Sequence, residues 1–310
     1  MIKKITVLLP VLNEEENVKL ICGAVKSIFE LKAEYKPEII FIDDGSTDCT
    51  LNNIIELSAS DPGVHYISFS RNFGKDNAIA AGLVKSTGDA VITMDADMQH
   101  APFLINELIS HWEKGHEVVS YYREDKNKHT GFLSHFYSAA FYKLINLFAS
   151  VKLEKGLSDF RIMDRKVVNA LSSFHEDTLF FRGMIKWVGF RQLSLPYSPE
   201  ERHRGKTSYK RRMLLKLAIH SVMSFSTKPL SLAIYLGFFF SFLSLLYIPY
   251  ALFSKLHHIA VSGWASVIVT IAFFGGLNLM ILGIVGLYLG KTFMQGKGRP
   301  LYIIRESNII

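Results

Sequence analysis

Cysteine is scarce in this sequence: its 310 residues include only Cys22 and Cys49. Two thiols without metal-ligand spacing argue against a disulfide framework and against a zinc site, and they fit a reducing, cytosolic environment. The glycine patterns GxGxxG and GxxxxGK[ST] are also missing. Because those patterns hold the phosphates of bound nucleotides, their absence disfavours dinucleotide-dependent enzymes and P-loop NTPases.

The N-terminus lacks the small-residue cleavage site of a signal peptide. Its stretch MIKKITVLLPVLNEE has a short apolar run that is broken by Pro10, Asn13 and the following glutamates. This pattern predicts a first β-strand rather than a secretion signal.

Charge is missing from two long stretches near the C-terminus. No Asp, Glu, Lys or Arg lies between Pro229 and Ser254, or between Trp264 and Gly290. Each stretch exceeds the roughly 20 apolar residues that cross about 30 Å of hydrocarbon, and buried core helices rarely run so long without a charge. We therefore predict two transmembrane helices, 229–254 and 264–290, and a cytosolic tail, 291–310.

The net charge of +7 is concentrated around these two stretches. The short loop between them carries only Lys255, so the excess of positive charge on the outer flanks places both long ends in the cytoplasm. The segment 201–228 mixes basic and apolar residues at helical spacing, which is typical of an amphipathic helix on an anionic membrane surface. The charge thus indicates a lipid bilayer as partner, and we expect no binding of nucleic acid.

The first 200 residues alternate apolar runs with helical patterns. This order predicts an α/β domain, residues 1–200, with a mainly parallel, Rossmann-like sheet and helices on both faces. Polar clusters follow the first, second and fourth predicted strands, at Asn13-Glu14, Asp43-Asp44 and Asp95-Ala96-Asp97. Because ligands bind outside the carboxyl ends of parallel strands, we expect these clusters to line one crevice.

The acids of these clusters suggest a metal and a nucleotide. Asp95 and Asp97, with Gln99 and a diphosphate, supply the hard oxygen ligands that suit Mg²⁺ or Mn²⁺. Asp44 can accept a hydrogen bond from a base or a ribose hydroxyl. The alternative for both clusters is a structural role, in which the acids lie in surface loops or cap the following helices. Thr47 or Asp48 can also cap the helix that follows.

Five ordered motifs resemble a known family: PVLNEEENV, DDGSTD, SRNFGKDNAIAAG, MDADMQH and SDFRIMDRK, followed by two apolar segments. They are similar to those of the polyprenyl-phosphate glycosyltransferases of family 2, an inverting class with the GT-A fold. Within it the sequence is most similar to the bactoprenol glucosyltransferases of O-antigen modification, and more distantly to dolichol-phosphate mannose synthases. The resemblance covers essentially the whole chain.

The resemblance implies roles for particular residues. Those that match the family's nucleotide-sugar contacts are Pro10, Asn13, Glu14, Asp44 and Asp95. Those that match its metal and diphosphate positions are Asp95, Asp97 and Gln99. The residues that match acids at the reacting centre are Asp159 and Asp97. Those that match basic positions near the phosphates of donor or acceptor are Arg123, Arg202, Arg204 and Lys206.

The function implied is transfer of a hexose, with inversion, from UDP-glucose to undecaprenyl phosphate at the cytoplasmic face of a bacterial inner membrane. GDP-mannose, UDP-GlcNAc and UDP-aminoarabinose are alternative donors. The resemblance also implies a homo-oligomer, such as a tetramer, and a downstream flippase and membrane glycosyltransferase. A processive polysaccharide synthase is disfavoured because none of Trp112, Trp187 and Trp264 ends a QxxRW pattern. A non-catalytic membrane scaffold is disfavoured by the intact set of acids.

Overall fold

The computed structural model describes residues 2–123, 157–174, 176, 179–197, 228–256 and 263–309, in two compact units. The strands of the first unit are β1 (Lys3–Val11), β2 (Tyr35–Asp43), β3 (Val64–Phe69), β4 (Ala90–Thr93), β5 (Val118–Arg123), β6 (Leu157–Asp164), β7 (Gln192–Tyr197) and β8 (Ile304–Ser307). Its helices are α1 (Val18–Glu30), α2 (Thr50–Ser60), α3 (Lys75–Lys85), α4 (Ile105–Glu113), α5 (Arg165–Ser172) and α6 (Phe181–Trp187).

The strands form one sheet in the order β7-β5-β6-β4-β1-β2-β3-β8. The four strands β4, β1, β2 and β3 pair in parallel, as do β5 and β7. Strand β6 runs antiparallel to both β4 and β5, and β8 runs antiparallel to β3. The prediction of a parallel sheet therefore holds for the central strands, whereas β6 and β8 make the whole sheet mixed.

Helices cover both faces of the sheet, as predicted. Along β1 the side chains alternate, and Ile5, Val7 and Leu9 share one buried cluster with residues of α1, α2 and α4. On the opposite face α3 lies so close that a Cβ on Gly82 would meet the side chains of Leu8 and Ile42 at 2.9–3.0 Å. Continuous apolar runs form these strands because each strand is buried on two sides.

The parallel strands end together, and this defines the functional edge of the sheet. Val11 is the last residue of β1 and lies beside Asp43, the last residue of β2. Asp43 lies beside Ser68 near the end of β3, and Thr93 ends β4 beside Leu8. The polar loops that follow these strands are thus brought to one side, as the sequence predicts.

The C-terminal residues, predicted as a tail, form β8 at the far edge of the sheet. Ser70 N donates a hydrogen bond to Ile303 O, 3.0 Å away. The Tyr302 ring stacks on Phe69 with a centroid distance of 5.0 Å. The sequence does not predict this strand, because a single short strand has no distinctive pattern without its partner.

The second unit contains α7 (Lys228–Leu256) and α8 (Trp264–Gly296), whose bounds agree closely with the two predicted apolar segments. The ring of Phe240 packs against those of Phe273 and Phe274 at centroid distances of 5.3 and 5.7 Å. Within the described residues, one segment is long and apolar enough to cross a membrane, Phe273–Gly296, with a mean hydropathy of 1.8 and no burial. The apolar stretch found in α7, Leu230–Phe240, is shorter.

A buried carboxylate stabilises the end of the sheet that lies opposite the functional edge, where the parallel strands begin. Glu38 of β2 is 4% exposed and accepts hydrogen bonds from Thr6 Oγ1 at 2.5 Å and Thr87 N at 3.0 Å. Lys4 Nζ lies 2.5 Å from its Oε1. Burial alone would raise the pKa of Glu38, but these partners outweigh it and lower the pKa from 4.5 to about 2.

This shift predicts a pH-dependent contribution to stability. Since the folded state favours the ionised form, the contribution is fully present above about pH 4.5 and is lost as the pH falls towards 2, with a size of about 3 kcal/mol. Glu38→Gln should therefore lower the unfolding temperature of the full chain in detergent at neutral pH and lose this deficit near pH 2. The exposed Glu56→Gln serves as control. An equal deficit at both pH values would contradict the assignment.

Candidate active site

The acids after β4 lie in a bend at the functional edge. Strand β4 ends at Thr93, and residues 96–98 form a bend in which Met98 has a φ of 59°. Asp95 and Asp97 are both partly exposed, and Asp97 Oδ1 accepts a hydrogen bond from Gln99 N at 3.1 Å. Asp95 therefore lies just before the bend, and Asp97 lies within it.

Strand β6 brings a third acid to the same place. The antiparallel register pairs Thr93 with Arg161, and continuing this register places Asp95 opposite Asp159. Thr93 Oγ1 also donates a hydrogen bond to Asp159 O at 2.5 Å. Two carboxylates that face each other repel unless a positive charge lies between them.

The ammonium group of Lys75 supplies that charge. Its Nζ lies 2.5 Å from Asp95 Oδ1 and 2.7 Å from Asp159 Oδ2. Burial would lower the pKa of Lys75, but the two carboxylates raise it above its ordinary value. Lys75 is the first residue of α3, where the helix dipole disfavours a cation, so the pair of acids offsets an unfavourable position.

Two arginines complete the charge around Asp159, which is 6% exposed. Arg182 donates from Nε to Oδ1 at 2.9 Å and from Nη2 to Oδ2 at 3.0 Å, a bidentate geometry. Arg161, fully buried, donates from Nη2 to Ser158 O at 2.6 Å and lies 3.3 Å from Asp159 Oδ1. Burial would raise the pKa of Asp159, but Lys75 and Arg182 hold it far below its usual range.

A neighbouring acid behaves in the opposite way. Burial raises the pKa of Asp76, and the negative charge of Asp159 raises it further, to about 6. One site therefore holds a carboxylate that is ionised throughout the physiological range and another that titrates close to neutrality.

Hydrogen bonds to the DDGSTD motif, residues 43–48, connect the loop after β2 with the loop after β3. Asp43 accepts hydrogen bonds from Ser46 N at 3.0 Å and Ser68 Oγ at 2.8 Å. Asp44, 4% exposed, accepts from the backbone amides of Phe73 at 2.7 Å and Gly74 at 2.9 Å. Burial raises the pKa of Asp44, although these two amides oppose the shift.

Gly45 is required by the close approach of the same two loops. Its φ is +76°, and a Cβ at this position would lie 2.5 Å from the backbone carbon of Arg71. The consecutive acids thus order the segment that leads into Lys75. The contact from Asp44 to a nucleotide base stays a prediction.

The first loop is tied to the second in the same way. Asn13 has a φ of 56°, and its Oδ1 accepts a hydrogen bond from Thr47 N at 2.8 Å. The backbone N–H of Asn13 donates to Ser46 Oγ at 3.0 Å. Glu14 N donates to Thr50 Oγ1 at 2.8 Å. Pro10 lies half-buried near the end of β1. Pro10, Asn13 and Glu14, three of the five predicted nucleotide-sugar contacts, therefore lie near one another at the functional edge.

His100 links the acid loop to the adjoining strands. Its Nε2 lies 2.9 Å from Tyr197 Oη and 2.8 Å from Ser158 Oγ, and its ring packs beside Phe160. Burial lowers the pKa of His100, which keeps the ring neutral at physiological pH. His100 therefore supports the acid loop from the side of β6 and β7.

The donor set fits a divalent ion that is shared with a diphosphate. Among the described residues no three His, Cys, Asp or Glu side chains come together as a complete metal cluster. Asp95 and Asp97 supply carboxylate oxygens. The buried Nε2 of Gln99 lacks a hydrogen-bond partner in the described part of the chain, and as an N–H donor it suits a diphosphate oxygen rather than the metal. Mg²⁺ and Mn²⁺ commonly take one or two carboxylates and complete their shell with water and substrate phosphates, so this incomplete set is suitable.

The four predicted phosphate-binding residues lie at the end of a described segment or outside the residues that the structure describes. Arg123 is the last residue of β5, and its side chain is not described. Arg202, Arg204 and Lys206 lie outside the described residues.

Sequence reasoning left three residues of the charge cluster unassigned. Lys75, Arg161 and Arg182 are not among the site residues predicted above. A signal for Arg182 exists, since it is a single charge within the apolar run LFFRGMI. A cation buried in such a run needs a partner.

The family is decided by comparison with known proteins. The model of "Glycosyl transferase family 2" matches residues 6–172, which include Asp95, Asp97 and Asp159. This chain belongs to glycosyl transferase family 2. The prediction of the family and of the enzyme class is thereby confirmed.

Two relatives in this glycosyltransferase family are similar over nearly their whole length. The SfII prophage-derived bactoprenol glucosyl transferase of Shigella flexneri is 39% identical over 306 residues, covering 98% of this chain and 98% of the relative. The prophage bactoprenol glucosyl transferase homolog of Escherichia coli K12 is 38% identical over 304 residues, covering 98% and 99%.

A solved structure shares the glycosyltransferase fold. The mannosyltransferase PcManGT from Pyrobaculum calidifontis, in complex with GDP-Man and Mn²⁺, matches with a TM-score of 0.51 at 15% identity, covering 96% of this chain and 85% of that one. This likeness confirms the α/β, GT-A-like sheet with its flanking helices.

The ion cluster predicts a large cost for removing one charge. Asp159→Asn leaves the buried Arg161 guanidinium without its carboxylate, which should destabilise the glycosyltransferase by roughly 3–5 kcal/mol. Adding Arg161→Met should recover part of that loss, because the uncompensated buried charge is then gone. Chemical denaturation of the single and double variants measures the difference. Strictly additive losses would show that the two charges are not coupled.

Proposed function

We propose that this glycosyltransferase moves glucose from UDP-glucose to undecaprenyl phosphate at the cytoplasmic membrane face, with inversion at the anomeric carbon. The observation that carries the proposal is the cluster in which Lys75 bridges Asp95 and Asp159 while Arg161 and Arg182 also contact Asp159. Such a site can receive both a metal-bound diphosphate and a second phosphate. The names of the two bactoprenol relatives support the choice of sugar and lipid.

A membrane attachment follows from the acceptor. A polyprenyl chain stays in hydrocarbon while its phosphate must reach a polar crevice. We propose that α7 and α8 both cross the bilayer, with both long ends cytoplasmic, because uncharged stretches of the sequence fill most of each helix. Residues 1–200 would then form the catalytic domain, and 201–228 the basic helix on the membrane surface. Self-association and a downstream flippase stay predictions of the resemblance.

The metal requirement is proposed from the donor set of the acid loop. Asp95 and Asp97 would hold Mg²⁺ or Mn²⁺, with Gln99 directed at the diphosphate. When bound, the ion would neutralise charge on the departing diphosphate. The Mn²⁺ named with the mannosyltransferase supports this expectation.

The proposed reaction needs no strong base. An oxygen of the acceptor phosphate attacks the anomeric carbon from the side opposite UDP; the new carbon–oxygen bond forms as the bond to the UDP oxygen breaks with its electron pair. The attacking oxygen is already largely anionic at neutral pH. A carboxylate with so low a pKa as Asp159 is a weak proton acceptor. Its role is to hold Arg182 and Lys75 where they can meet phosphate oxygens.

The proposal predicts a metal-dependent transfer of sugar to lipid. Full-length protein in detergent, given undecaprenyl phosphate and radiolabelled UDP-glucose with Mn²⁺ or Mg²⁺, should produce label that extracts into organic solvent. Asp97→Ala should reduce this rate by at least about a hundredfold, because loss of a residue that only supports a metal ligand already costs about ten- to a hundredfold. Glu56→Gln, a change in an exposed carboxylate, should leave it unaltered.

Donor screening separates the alternatives. Stronger labelling from GDP-mannose, UDP-GlcNAc or UDP-aminoarabinose would show that the lipid is the acceptor but that the transferred sugar is not glucose. Absence of lipid label with every donor, or full activity of Asp97→Ala, would contradict the proposed function.

A further inference from the structure

Lys75 contacts one of the two acids proposed to hold a divalent ion. Its ammonium lies 2.5 Å from Asp95 Oδ1, on one of the two carboxylates proposed to hold the metal. The same ammonium contacts Asp159 Oδ2 at 2.7 Å. Lys75 therefore bridges the carboxylates of Asp95 and Asp159 and compensates their charges.

A divalent ion and this ammonium compete for the same carboxylate. If both were held on Asp95, three positive charges would lie within a few ångströms, where repulsion between charges is strong and weakly screened. Repulsion between the two cations thus favours release of the ammonium from Asp95 when the ion binds at Asp95 and Asp97. The side chain has room to do so, since it is 39% exposed.

The displaced charge favours an anion nearby. Once Asp95 is taken by a metal, Lys75, Arg161 and Arg182 share the single carboxylate of Asp159 as their direct ion-pair partner among the described contacts. Arg182 is 46% exposed and can reach a ligand. The resulting excess of positive charge is best met by phosphate oxygens.

We propose that Lys75 is a placeholder cation, which holds the metal-binding face of Asp95 until a divalent ion arrives together with a nucleoside diphosphate. The diphosphate then receives the displaced ammonium. This inference rests on the proposed function, because it assumes the metal–diphosphate site at Asp95 and Asp97. It assigns to Lys75 a positioning role that makes metal binding conditional on nucleotide.

Metal binding, rather than turnover, tests the proposal. Full-length protein in detergent is titrated with Mn²⁺, and bound metal is followed by electron paramagnetic resonance, with and without UDP. The wild-type protein should bind Mn²⁺ weakly alone and at least tenfold more tightly with UDP, within the usual range of coupling between sites. Equal Mn²⁺ affinity with and without UDP would overturn the proposal, and this comparison needs no variant.

Substitution of Lys75 separates the placeholder from a simple phosphate contact. Lys75→Gln should bind Mn²⁺ alone about fivefold more tightly than the wild type, the upper range for a partly exposed ion pair, and should show less enhancement by UDP. Lys75→Arg keeps the charge and should behave like the wild type. Lys19→Gln removes an exposed lysine that is paired with Glu56 and serves as control.

The outcomes distinguish this inference from the function beneath it. If Lys75→Gln binds Mn²⁺ alone no more tightly than the wild type, while UDP still promotes binding in both, the placeholder role is wrong and the proposed function stands. If the wild type binds no Mn²⁺ even with UDP, the metal site itself is wrong and both proposals fall.

Discussion

The carboxylate of Asp159 and the three cations around it form the interaction on which the site depends. Asp159 meets Lys75, Arg161 and Arg182, and Lys75 extends the network to Asp95. Each buried charge is tolerable only because the others are present. This mutual compensation fixes the positions of groups that would otherwise move apart, and it leaves Arg182 and Lys75 partly exposed towards a ligand.

The sheet positions this charge cluster, because its strand order and register decide which strand ends lie side by side. The register of β4 against β6 sets Asp95 opposite Asp159, while the parallel strands deliver the loops of Asn13 and Asp44 to the same edge. Hydrogen bonds within the protein hold these loops, since Asp44 accepts from two backbone amides of the segment before Lys75. The loops are therefore ordered before a nucleotide arrives, which lowers the entropic cost of binding.

The sequence was informative where one pattern implies one structure. Apolar runs followed by polar clusters predicted the central strands and the edge that bears Asp95 and Asp97, and uncharged stretches predicted α7 and α8. It was uninformative where pairing joins distant residues. Nothing local to Ile304 shows that β8 joins β3, and nothing local to Lys75 shows that its ammonium lies between acids from two other strands. Such contacts depend on register, which a single sequence does not reveal.

The central claim is that Asp95, Asp97 and Asp159 line one site that takes a divalent ion with a nucleotide diphosphate. Diffraction from the full chain crystallised with UDP and Mn²⁺, recorded at the manganese absorption edge, tests it most directly. The claim predicts an anomalous peak at coordination distance from Asp95 or Asp97 and from the diphosphate, with Asp159 still bound to Arg182. A peak elsewhere, with UDP away from the edge after β4, would contradict it.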